Sequence, residues 1–137
     1  MMIYEITEEQ VAELRELVRA FGKPRASRRI LSLLETRRGQ QTVMRHLDHA
    51  SWFDTRFLIP PNQQLPSEIR QMLAARGASR CHVLSTNSAL NDKWMMLDDA
   101  LSKVLGGGNG TILVFQASRL AYYEAEGPGS ECYLLTR

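Results

Sequence analysis

Val11, Leu14, Leu17, Val18 and Phe21 recur at the three- and four-residue spacing that places apolar side chains on one side of a helix. Thr7 with Gln10 three residues later forms a capping box, and Ile6 with Val11 forms a hydrophobic staple, so the pattern predicts a helix over 8–21. Gly22 stands where a left-handed closing residue belongs. Lys23-Pro24 then breaks the chain. Ile30, Leu31, Leu33 and Leu34 predict a second helix from about Ser27 to Arg38, ended by Gly39. A third helix is expected from about Gln40 to Ala50 around Val43, Met44 and Leu47. Trp52, Phe53 and Phe57 are expected to plug the seam between helices and sheet.

The segment from Pro60 to Pro66 reads as a linker and separates a helical front, 1–59, from a mixed back, 67–137. In the back half, a helix over Ser67 to Arg76 closes at Gly77 and leads into a strand at Cys81 to Ser85. Asn91-Asp92 signals a turn, followed by a short strand over Lys93 to Met96 and a helix over Leu97 to Leu105. Three strands are expected at 111–117, 120–126 and 131–136, joined near Ser118-Arg119 and through Gly127 to Ser130 by connections short enough for antiparallel hairpins. The pattern thus predicts an α+β fold in one domain. Three N-terminal helices pack with a small, mainly antiparallel C-terminal sheet carrying one or two helices on one face.

Length and composition agree with this. A chain of 137 residues buries roughly two-thirds of its unfolded surface, and 44% apolar with 23% charged residues is ordinary globular usage. Cys81 and Cys132 are too few and too distant for a disulfide framework or zinc knuckle, and are read as reduced, structural thiols. The first residues lack a basic leader with an apolar core, and no apolar run reaches membrane-spanning length, so a cytoplasmic protein is expected.

Charge changes the picture more. Residues 1–22 carry Arg15 and Arg19 against five glutamates, and 81–137 carry four basic against six acidic side chains. The stretch 23–80 holds eleven basic residues, ten of them arginine, against Glu35, Asp48, Asp54 and Glu68. A net charge of +2 therefore hides a basic centre between acidic ends. Arginine binds phosphate and carboxylate bidentately. Arg25, Arg28 and Arg29 open the expected second helix, where the macrodipole disfavours cations, while Arg37 and Arg38 end it, where the dipole favours them. All five are candidate anion- or partner-binding residues, the first three foremost.

Other features point to chemistry less directly. Gly106-Gly107-Gly108-Asn109-Gly110 follows a helix and opens a strand, the reverse of a phosphate-binding loop, and reads as a helix end and turn. His46 and His49 share a helical face at metal-site spacing but lack a third ligand, so no metal site is assigned. His82 follows Cys81 on a strand, and their side chains point apart. Tyr122 and Glu124 alternate onto one strand face, with Glu131 and Tyr133 expected opposite. That face reads as solvated, or as a general acid beside a hydroxyl.

No helix-turn-helix, zinc-finger, RRM or KH signature is present. The leading expectation is a non-enzymatic, cytoplasmic binding or regulatory protein without a cofactor, using its arginine-rich surface on a protein or nucleic acid. A homo-oligomer is compatible with this. The alternatives are a small hydrolase or transferase using Tyr122, Glu124 or His82 at a sheet edge, and a toxin-neutralising or other obligate-partner protein.

Overall fold

The first helix forms as its local signals dictate. Thr7 accepts the Gln10 amide N–H through its hydroxyl while the Gln10 side chain accepts the Thr7 amide N–H, and α1 (Glu8–Phe21) follows. The computed structural model describes residues 3–61, 65–127 and 131–137. After α1 come α2 (Pro24–Leu33), α3 (Arg37–Arg45), 3-10 turns at His46–His49 and Thr55–Phe57, and β1 (Leu58–Ile59). The back half holds α4 (Pro66–Ala74), β2 (Arg80–Ser85), β3 (Trp94–Met96), α5 (Leu97–Val104), β4 (Thr111–Gln116), β5 (Leu120–Glu124) and β6 (Cys132–Thr136). The architecture is α+β, with the helices leading and the sheet behind.

The six strands form one antiparallel sheet in the order β1-β6-β5-β4-β2-β3. Strand alternation sends successive side chains to opposite faces and so makes two cores from one sheet. Leu84, Ile112, Val114, Ala121, Tyr123 and Leu135 face α1, α2 and α3, where they meet Leu14, Leu17, Val18, Leu34 and Met44. Cys81, Val83, Leu113, Tyr122, Cys132 and Leu134 face α4 and α5, against Ile69, Leu73, Leu101 and Val104. The register of β6 against β5 decides which of two adjacent leucines goes where: Leu134 pairs with Tyr122 and Leu135 with Ala121. Trp52 and Phe53 fill the seam as expected. The Phe53 ring lies 5.0 Å from Tyr123, and the Trp52 and Phe53 backbone zips onto the α1–α2 junction.

Several expectations are corrected. Gly22 is extended (φ −82°), not left-handed; a Cβ there would lie 2.3 Å from Ser27 Oγ, so close packing requires the glycine. The second helix ends at Leu33, not Arg38, because Thr36 accepts the Gly39 N–H and caps a new helix. Gly39 lies inside α3, where a Cβ would sit 1.8 Å from the Leu33 carbonyl oxygen. Arg37 and Arg38 therefore open α3 rather than close α2, and the dipole disfavours them also. The front half is not purely helical, since β1 adds an edge strand to β6. The expected linker includes 62–64 and the last hairpin connection 128–130, which lie outside the described residues. No described helix is long and apolar enough to cross a membrane.

Candidate functional site

The close approach at Gly39 holds α2 against α3 as a hairpin, and Gln40 Nε2 donates to the Leu34 carbonyl to fix it. Between them runs a groove of about 240 Å³. Its floor is apolar: Ala26, Ile30 and Leu33 from α2, Val43 from α3, and Trp52 at one end. Arg29, Thr42, His46, His49 and Ser51 supply its polar rim. The 3-10 turn carrying both histidines is tied to the sheet. Tyr123 Oη donates to the Leu47 carbonyl at 2.7 Å and accepts the Ala50 N–H at 2.9 Å. Asp48 Oδ1 accepts the Gly110 N–H and the Thr86 hydroxyl.

Arg25, Arg28 and Arg29 fall on neighbouring positions of α2, and all three are exposed, as are Arg37, Arg38 and Arg45 on α3. Among the described residues, none of the six has a carboxylate within 4.0 Å. Other surface cations do have such partners: Arg56 with Asp54, Arg70 with Asp98, and Lys103 with Asp99. Neither α2 nor α3 has an acidic residue in its first turn. The glutamates of α1 thus leave these arginines uncompensated. His46 and His49 are exposed, and His49 Nε2 lies 3.3 Å from Glu126. Among the described residues the pair belongs to no cluster of three metal-ligating side chains.

His82 is placed quite differently. It is fully buried (0% exposed) on the α1 side of β2, with Nδ1 2.5 Å from Glu13 Oε1 and 3.9 Å from Glu9 Oε1. Its Nε2 lies 2.7 Å from Asp92 Oδ1. Asp92 has φ +65°, a left-handed turn position that aspartate tolerates and that aims its carboxylate back at the ring. Trp94 stacks on the imidazole with centroids 4.5 Å apart, and Arg80 lies over the other part of the same stack, 4.7 Å from the indole. Burial opposes charge on His82, but hydrogen bonds to Glu13 and Asp92 and the fields of Glu13 and Glu9 outweigh it and raise its pKa. Desolvation likewise raises the Glu13 pKa, against the pull of His82.

Tyr122 and Glu124 lie on the opposite face of the sheet from His82, beneath α4 and α5. The face expected to be solvated is interior: Tyr122 is 1% and Glu124 6% exposed. Opposite them stand Leu134 and Cys132, whereas Tyr133 pairs with Tyr123. Glu124 accepts the Gly106 N–H at 3.0 Å and the Tyr122 hydroxyl at 3.3 Å, closing the α5–β4 turn. Desolvation raises the pKa of Glu124 and of Tyr122. The sheet therefore separates His82 from Tyr122 and Glu124, which serve one another.

Sequence reasoning missed Thr42 and Ser51 on the rim of the groove, and Glu9, Glu13, Asp92 and Trp94 around His82. The one local signal for the latter was the four-residue spacing of Glu9 and Glu13 on α1. No protein-family model, curated protein or solved structure matches the chain.

Proposed function

We propose that this is a non-enzymatic binding protein that docks an acidic polypeptide segment on the α2–α3 face. The observation that carries the reading is a groove with an apolar floor and Arg29 on its rim, set between two helices that together carry six exposed arginines without carboxylate partners among the described residues. Cations at two helix N-termini oppose the macrodipole, so a bound anion adds what the helices lack. An apolar floor favours a peptide over a nucleic-acid backbone, because a leucine or phenylalanine side chain can fill the groove while flanking carboxylates meet the guanidinium groups. Arg29 stands on the rim itself, where both parts of the ligand would converge. The same surface serves an obligate-partner role. For the hydrolase alternative, His82 lies across the sheet from Tyr122 and Glu124, and that pair is buried beneath α4 and α5.

The test is a fluorescence-anisotropy titration at two salt concentrations with three probes: a glutamate-rich peptide containing one phenylalanine, the same peptide with alanine there, and a single-stranded oligonucleotide of equal charge. The phenylalanine peptide should bind tenfold or more tightly than its alanine counterpart, since burying such a side chain contributes about 1.5–3 kcal/mol. Replacing Arg25, Arg28 and Arg29 with glutamine should weaken all binding and flatten its salt dependence. Oligonucleotide binding equal to that of the phenylalanine peptide would favour a phosphate-reading surface and overturn the peptide assignment.

A further inference from the structure

We infer that Glu9, Glu13 and His82 form a binding site for a divalent transition-metal ion, with zinc(II) the ion its donors fit best. The ligand-type atoms of the three residues all lie within 4.8 Å of one another. Glu9 and Glu13 are one helical turn apart on α1, and His82 comes up from β2 beneath them. Bonds of about 2.0–2.2 Å to zinc in a tetrahedral arrangement set neighbouring donor atoms about 3.3 Å apart. The two observed Nδ1-to-carboxylate distances, 2.5 and 3.9 Å, bracket that spacing. Closing the Glu9 contact needs only side-chain rotation, since the Glu9 side chain is 57% exposed, whereas the Glu13 side chain, 16% exposed, has to draw back from the ring by less than about 1 Å.

The surroundings are those that metal-bound histidines use. A ligating imidazole donates its other N–H to a carboxylate, which fixes the tautomer and raises ligand basicity. Asp92 occupies that position on Nε2, leaving the Nδ1 lone pair directed at the two glutamates. The turn carrying Asp92 is itself held to α1. Asn91 Oδ1 accepts from Gln10 Nε2 at 2.7 Å and from the Ser85 N–H, and Asn91 Nδ2 donates to the Glu5 carbonyl. Trp94 closes one side of the ring. The ion would displace the Nδ1 proton to solvent, so two carboxylates and a neutral imidazole neutralise its charge. The exposed Glu9 edge leaves a fourth position for water. One imidazole with two carboxylates suits zinc or manganese; magnesium, which prefers an all-oxygen shell and keeps its waters, fits less well, and the absence of sulfur disfavours copper(I).

The experiment is calorimetric titration of the full chain, stripped with chelator, using zinc chloride, with magnesium chloride as the contrasting ion. Cobalt(II) absorption and Trp94 fluorescence provide a second readout of the same site. The expected result is one zinc per chain, not displaced by excess magnesium, with fluorescence changes lost in Trp94→Phe. Glu9→Gln should weaken zinc binding at least tenfold, and Asp92→Asn tenfold to a hundredfold. Because the Glu9 side chain is largely exposed, its variant should keep the parent's fold by circular dichroism. The double variant His46→Gln/His49→Gln should bind zinc as the parent does. Absence of zinc binding at millimolar concentration, or binding unchanged by Glu9→Gln and lost with His46 and His49, would overturn the assignment.

Discussion

Replacing Tyr123 with phenylalanine removes a single oxygen from the interior and tests whether the sheet positions the groove. The Tyr123 O–H donates to the Leu47 carbonyl at 2.7 Å and its oxygen accepts the Ala50 N–H at 2.9 Å, spanning the 3-10 turn that carries His46 and His49. The ring itself keeps its packing on Phe53, so no cavity larger than the hydroxyl is made. The Leu47 carbonyl is buried and loses its side-chain donor, a loss of about 1–3 kcal/mol, whereas the partly accessible Ala50 amide loses an ordinary bond, about 0.5–1.5 kcal/mol. Together the change should destabilise the protein by about 2–4 kcal/mol. With a urea slope of about 2 kcal/mol per molar, the denaturation midpoint should fall by about 1–2 M at unchanged slope. Hydrogen exchange at the Ala50 amide should quicken by more than global destabilisation explains, because its acceptor is gone. A midpoint change worth less than about 0.5 kcal/mol, with Ala50 exchange unaltered, would refute the tether and its role in holding the groove.

Leu14 is fully buried against the sheet, and Leu14→Ala should cost about 2–5 kcal/mol in urea denaturation; an unchanged midpoint would make α1 peripheral. Arg37→Glu puts a favourable charge at the start of α3 and should raise the thermal midpoint by a few degrees at low salt while weakening acidic-peptide binding; a fall in the midpoint would show that Arg37 has a structural partner. Desolvation raises the Glu124 pKa in the folded state, so the native protein holds that proton more tightly than the unfolded chain. Its contribution to stability is present below the unfolded value and is lost as pH rises through the folded one. Glu124→Gln should remove that loss, so parent and variant denaturation curves should diverge with pH above the ordinary glutamate range; parallel curves would contradict the raised value.

The groove illustrates where pattern reading stopped. Arg25, Arg28 and Arg29 stand out in the sequence because a helix expected from about Ser27 puts them at its positive end, but α2 starts at Pro24, so only Arg25 lies in the first turn, where the dipole acts. Arg37 and Arg38 lie at the opposite helix end from the expected one, because Gly39 usually closes a helix, whereas here its missing side chain lets α3 cross the end of α2. Alternation along β5 identifies two faces without saying what covers each, so in the sequence the face of Tyr122 and Glu124 looks solvated. The helices α4 and α5 cover that one.

The sequence by itself determined the elements whose causes are local: the capping box at Thr7 and Gln10, the apolar stripe of α1, and the alternation of β4 to β6. Each depends on residues within a few positions of one another, where spacing along the chain is also spacing in the structure. Only the tertiary structure decided that the sheet has a core on each face, that Leu134 and Leu135 part company, and that His82 meets Glu13 across 69 positions of chain while Tyr123 meets Leu47 across 76. Contacts at such separation follow from how whole helices lie on a sheet, and that is set by the summed packing of many side chains, which no local spacing encodes.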